Sequence, residues 1–242
     1  MGQRIQSALS LLYPPRCLTC GDLVEGAFGL CGPCWRDTPF VGGTVCDSCG
    51  VPLTGPDDGA RIECDACMQT PRPWRMGRSA LVYQGHARKL VLALKHGDRT
   101  DIARPAARWM LRAARPLIRD RTVLVPVPLH WTRMLRRKYN QAALLAQAMA
   151  ETGQLDVCVD LLTRSRRTPS LDRCPAAERH ALLNRALDVH PRRWTRVQGA
   201  SILLVDDVMT SGATLAAAAA ACYAAGANDV CVVTLARVAK DT

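Results

Sequence analysis

Eight cysteines crowd into residues 17 to 67, and all of them stand in C-x-x-C pairs: "CLTC", "CGPC", "CDSC" and "CDAC". Two thiolates separated by two residues share one tight turn and aim at one metal. Four of them fill a tetrahedral zinc and leave no open position for catalysis. Disulfides are the competing explanation in a secreted chain. The N-terminal "MGQRIQSALSLLYPP" lacks the length and flanks of a secretion signal, and no run approaches the roughly 18 apolar residues of a membrane span. A cytoplasmic protein with structural Zn²⁺ and no membrane span is expected.

The cysteine pattern repeats. "CLTCGDL" followed by "LCGPC" parallels "CDSCGVPL" followed by "ECDAC". Sequential pairing is therefore expected, with Cys17, Cys20, Cys31 and Cys34 on one ion and Cys46, Cys49, Cys64 and Cys67 on the other. Spacing alone leaves an interleaved cross-brace open. Cys158, Cys174, Cys222 and Cys231 lack a sequence partner and are expected to be small buried apolar residues.

Charge divides the chain. The net charge is +11, yet residues 1 to 75 carry 6 Arg and no Lys against 8 Asp plus Glu, while residues 76 to 242 carry 26 basic against 13 acidic groups. This gives a cysteine-rich module at 1–75 and a basic domain at 76–242. The basic part suits an anionic partner, either nucleic acid or a small polyphosphate. Between its first and last cysteines the module holds only Phe28, Trp35 and Phe40 as aromatics and is slightly acidic. A single-strand binder wants a basic groove with stacked aromatics, so the module reads as a docking element.

Beyond "TPRPWRMG", strands alternate with helices. "RSALVYQ", "TVLVPVP", "LDVCVDLLTR", "SILLV" and "DVCVVTLAR" predict strands. "HARKLVLALKHG", "DIARPAARWMLRAARPLI", "YNQAALLAQAMAETG" and "TLAAAAAACYAAG" predict helices, the third stopping at its glycine. "SRRTPSLDRCPAAERHA" reads as an Arg-rich loop leading into a helix. The expected fold class is α/β, a mostly parallel sheet flanked by helices, with ligands at the carboxyl ends of its strands.

"LLVDDVMTSGATL" then places Asp206 and Asp207 at the lip of that sheet, ahead of a turn of small residues that opens a helix. Free amides, the helix dipole, the hydroxyls of Thr210, Ser211 and Thr214, and the close approach allowed by Gly212 make a phosphate cradle. The two acids accept hydrogen bonds from a sugar diol and support Mg²⁺ through water. A nucleoside triphosphate loop would need a lysine in the turn, and none is there.

This stretch resembles the phosphoribosyl pyrophosphate signature of type I phosphoribosyltransferases. The chain as a whole resembles the ComF family, which joins a double zinc ribbon to that fold; "LYPPRCLTCG", "YQGHARKLVLALKHGD", "VPVPLHWTRMLRRKYNQAALLA" and "LTRSRRTPSLDRCPAAERHALLNRAL" carry the likeness. The resemblance implies that Asp206 and Asp207 are catalytic, contacting the ribose hydroxyls and Mg²⁺. It implies donor binding by Val208, Met209, Thr210, Ser211, Gly212, Ala213 and Thr214, with Thr210 to Thr214 on the 5-phosphate. The turn after Val127 takes the pyrophosphate, with Lys95, Arg133, Arg137, Asn140 and Gln141 as donor-binding residues. Arg164, Arg166 and Arg167 close over it. Three positions depart from the family pattern: Lys138 replaces a glycine, Leu171 a glutamine, and Thr210 the aspartate with which purine-salvage relatives accept a proton from the base. Two functions follow as expectations: a phosphoribosyltransferase of unknown acceptor, or a non-catalytic protein that handles single-stranded DNA beside other DNA-uptake or helicase proteins. A regulatory scaffold that senses the donor and docks through zinc is a third.

Overall fold

One nine-residue strand organises the molecule in the computed structural model, which describes residues 14–24, 29–56, 59–129, 139–164 and 187–239. In chain order the elements are α1 (Gly32–Asp37), α2 (Asp65–Gln69), β1 (Gly77–Val82), α3 (Gly85–His96), α4 (Ala103–Ala114), β2 (Thr122–Pro126), α5 (Gln141–Gly153), β3 (Asp156–Val157), β4 (Leu162–Arg164), β5 (Leu187–Val189), α6 (Trp194–Val197), β6 (Ser201–Met209), α7 (Ala213–Ala224) and β7 (Asp229–Arg237). The main sheet runs β1-β7-β6-β2-β3, and every pairing in it is parallel. Alternate residues of β6 point to opposite faces. Leu203 and Val205 join the core formed with α3, α4 and α5, whereas Ile202 and Leu204 join the core formed with α7. All four are at most 2% exposed, which explains why the strand reads as a continuous apolar run.

The cysteine-rich segment straddles the β1 edge of this sheet. Phe40 bridges to Leu81 in antiparallel fashion, with Val41 N–H donating to the Ala80 carbonyl (2.9 Å) and Val82 N–H to that of Pro39 (2.8 Å). An edge strand that would otherwise offer unpaired amides is thereby covered. Cys17 and Cys34 fall in the core cluster of one sheet face, and Cys46, Cys49 and Cys67 in that of the other. The connection is tied down at Arg75, whose Nε donates to Asp229 at the start of β7 (2.8 Å).

Three local expectations change. The predicted strand "LDVCVDLLTR" is two pieces: β3 pairs parallel with β2, the chain turns at Val159–Asp160, and β4 pairs antiparallel with β5. The helix "YNQAALLAQAMAETG" includes Gly153, and the left-handed stop falls on Gln154 (φ 52°). The strand "SILLV" continues through both aspartates to Met209, because β7 keeps pairing with it as far as Met209 with Arg237. Arg133, Arg137, Lys138, Arg166, Arg167, Leu171 and Cys174 lie outside the described residues, as does the Arg-rich loop. Cys158, Cys222 and Cys231 are buried as expected.

Candidate functional site

Strand β2 ends earlier than its neighbour. Pro126 has no N–H to give, the last rung is Val127 N–H to the Val205 carbonyl (2.9 Å), and β6 runs on beside β7 alone. Asp206 and Asp207 therefore sit inside a strand yet open on the β2 side. A cavity of about 230 Å³ fills that notch, lined by Lys95, Asn140, Gln141, Asp206, Asp207 and Thr214 together with Arg164 and the 127–129 turn.

Each lining residue is placed by its element. Lys95 reaches from the last turn of α3, its Nζ 3.0 Å from Asp207 Oδ1. Asn140 caps α5: its side chain accepts from the Ala142 N–H (3.0 Å) and donates to the Val127 carbonyl (3.1 Å), fixing the turn beside the acids. Asp206 accepts from the Asp207 N–H (2.8 Å), a group that β2 no longer pairs. Burial, and then the charge on Asp207, push the Asp206 carboxyl up to about 7, against the pull of that N–H, Lys95 and Arg164. Such a pair is relieved by a cation or by hydroxyl donors, so the carboxylates fit a Mg²⁺ ion or a diol.

The following turn is held from behind. Arg237 Nη1 donates to the carbonyls of Met209 (3.1 Å), Thr210 and Val238 (2.8 Å), and Arg72 Nη1 donates to that of Ser211 (2.7 Å). In a trans peptide, C=O and the next N–H point opposite ways. The N–H groups of Thr210, Ser211 and Gly212 are thus turned away from the arginines, and none has an acceptor among the described residues. Gly212 has φ +80°, and a Cβ there would meet Trp74 at 3.2 Å, so glycine is favoured both by the turn and by the close approach. Three such amides lead into the N-terminus of α7, an arrangement that suits an anion. Of the residues from Val208 to Thr214, Thr214 alone lines the cavity itself.

Arg72, Trp74 and Arg237 did not stand out in the sequence. Arg72 and Trp74 sit in a proline-rich link, and Arg237 closes an apolar strand. Only contacts between residues far apart in the chain reveal them.

The eight cysteines form two groups of four in sequential order, the Sγ atoms of each lying within 4.8 Å of one another. Cys20 and Cys31 are 3.6 Å apart, Cys49 and Cys64 3.7 Å. A Zn–S bond of about 2.3 Å gives a tetrahedral edge of about 3.8 Å, so both sets fit zinc. The cross-brace is excluded. Burial resists ionisation of Cys17, but the Cys20 amide and the Thr19 hydroxyl hold its thiol down at about 5. The Cys49 thiol, and against burial the Cys64 amide, hold Cys46 at about 4.

A family model described as a double zinc ribbon domain matches residues 8–68. Over 214 residues the chain is 32% identical to DNA utilization protein YhgH of Escherichia coli (strain K12), an alignment covering 85% of this chain and 89% of that one. The chain belongs to the YhgH and ComF family. Competence protein F of Haemophilus influenzae is 27% identical over 210 residues, covering 83% and 87% of the two chains. Among solved structures, glutamine phosphoribosylpyrophosphate amidotransferase from B. subtilis, complexed with ADP and GMP, aligns with 60% of this chain and 30% of its own at 18% identity and a TM-score of 0.40. Membership of the YhgH and ComF family rests on the sequence relatives. Among the described residues, no helix is long and apolar enough to cross a membrane.

Proposed function

We propose that this ComF-family protein binds Mg²⁺-complexed phosphoribosyl pyrophosphate and transfers the phosphoribosyl group to an acceptor. One juxtaposition carries the reading: two acids with Lys95 on one side of a strand-to-helix turn, and three outward amides on the other. The acids suit the ribose hydroxyls, and the amides suit the 5-phosphate. Lys95 holds Asp207 by an ion pair until a diol or cation takes its place. Pyrophosphate leaves C1 as the acceptor's nucleophile attacks, and the turn fixes the ring while positive charge develops on the sugar. Bound Mg²⁺ would neutralise the leaving group. Thr210 presents a hydroxyl and no carboxylate, so this position supplies no base for a purine acceptor.

Isothermal titration with the Mg²⁺-loaded donor tests the reading. Binding by the wild type and its loss in Asp206→Ala plus Asp207→Ala are expected; a wild type that does not bind ends it.

The relatives, a DNA utilization protein and a competence protein, together with the basic excess beyond residue 75, favour a second reading, a protein that handles single-stranded DNA. Such binding would weaken steeply with salt. A mobility shift insensitive to salt, or none, rules it out.

A further inference from the structure

The second cysteine cluster and the nest at residues 210–212 share their scaffolding. Arg72 touches both: its Nε donates to Cys67 Sγ (3.4 Å) while its Nη1 donates to the Ser211 carbonyl (2.7 Å). Its guanidinium lies 5.9 Å from the centre of the Trp74 ring. Trp74 makes a second bridge, donating from Nε1 to the Ser48 carbonyl inside the Cys46–Cys49 knuckle (2.6 Å) and packing against Gly212. Arg237 holds the Met209 and Thr210 carbonyls from the end of β7. Four thiolates around Zn²⁺ carry a net charge of about −2, so the half-buried Arg72 beside Cys67 is compensated in place. Those same arginines pull three successive carbonyls backward and so turn three amides outward. Among the described residues, the first cluster makes no hydrogen bond to residues 206–214.

We infer that Arg72 and Arg237 are positioning residues for the anion nest, and that the second four-cysteine site and the nest are thermodynamically coupled while the first four-cysteine site is not. Zinc in the second site orders Cys67 and the Ser48 knuckle, these order Arg72 and Trp74, and the loop amides face out as a result. Coupling is reciprocal, so an anion held by the nest must in turn tighten the second zinc. The inference takes its ligand, the phosphate of the donor, from the reading in the preceding subsection.

The test uses the full chain carrying two zinc ions, as wild type, Arg72→Ala, Arg72→Lys and the surface control Arg104→Ala, whose side chain is 83% exposed. Zinc release to a chelator is followed with and without saturating Mg²⁺-phosphoribosyl pyrophosphate. One of the two ions is expected to leave about tenfold more slowly with donor present, since a coupling of that size is typical of linked sites. Equal slowing of both ions, or of neither when the donor binds, overturns the coupling. In titrations, Arg72→Ala should bind the donor about tenfold or more weakly with both zinc ions retained, and Arg72→Lys should recover part of the loss, because a single ammonium can replace one charged hydrogen bond. Unchanged affinity in Arg72→Ala overturns the positioning role. If the wild type fails to bind the donor, the preceding reading falls by itself. Ligand-free hydrogen exchange then decides: faster exchange at Ser211 and Gly212 in Arg72→Ala than in Arg104→Ala supports the scaffold, and equal exchange removes it.

Discussion

The two four-cysteine clusters come from one repeated sequence pattern, yet the sheet has put them to different work. The first packs with α3, α4 and α5, close to an aromatic group in which Phe40 and Trp109 rings meet edge to face at 5.4 Å, and Cys20 stays exposed. The second lies on the opposite face, with Cys46, Cys49 and Cys67 fully buried beneath the turn after Met209. The first cluster's surroundings are apolar packing. The second's are arginine and tryptophan groups that also contact the loop. A sequence repeat thus establishes equal metal chemistry without establishing equal consequences, because those are set by what each knuckle rests against.

The sharpest way to break this contrast is to remove one ligand from each site. Cys34→Ser and Cys67→Ser should each lose one zinc by native mass spectrometry and destabilise the chain by several kcal/mol, on the order of 5. Only Cys67→Ser should speed hydrogen exchange across 210–212. Equal effects on that loop would erase the distinction. Next in size are the aromatic supports. Trp109→Ala and Trp74→Ala should each cost about 3–5 kcal/mol by denaturant unfolding, but Trp109→Ala should hasten release of the first zinc and Trp74→Ala of the second.

Asp206 provides a smaller and pH-dependent effect. Its folded carboxyl sits at about 7, above the ordinary 3.8, so between those values the folded protein holds the extra proton. Its contribution is therefore most favourable at low pH and declines as pH rises through 7. Asp206→Asn should be more stable than wild type by about 1–3 kcal/mol at pH 8, with the gap closing toward pH 4, in thermal scans of zinc-loaded protein. Donor binding, where it needs the carboxylate charged, should follow the opposite course in the wild type and strengthen above pH 7. The smallest change is Gly212→Ala, which meets Trp74 at 3.2 Å with φ +80° and should cost about 1 kcal/mol. Its signature is altered exchange at the second cluster's loop with the first cluster untouched.

Much of this was legible because it is local. The repeated cysteine pattern pointed to sequential zinc sets, which the Sγ positions settle against the cross-brace, and apolar runs alternating with helical patterns pointed to the parallel sheet. The acids and small residues of 206–214 marked the loop, and Lys95 and Asn140 proved to lie at the same cavity. The rest depends on partners distant in sequence. Asp206 and Asp207 are inside a strand because β7 continues beside them, and they are open because β2 stops at Pro126. Arg72 lies far from Ser211 in the chain, and no periodicity links them. Residues 155–164 carry strand-like composition throughout, and only the presence of β5 as a partner shows that they divide between two sheets.

The placement of β1 beside β7 sets an order of assembly during synthesis. Gly77 pairs with Val232, so the seat on which both zinc ribbons rest is completed only when β7 has left the ribosome. At ~5–20 residues per second, the ribbons wait about 10–30 s for it. The zinc knuckles are built from short-range contacts and can close early, whereas their docking surface arrives last. During that interval the β7-facing edge of β1 is uncovered, and the nascent chain is at its most exposed to mispairing.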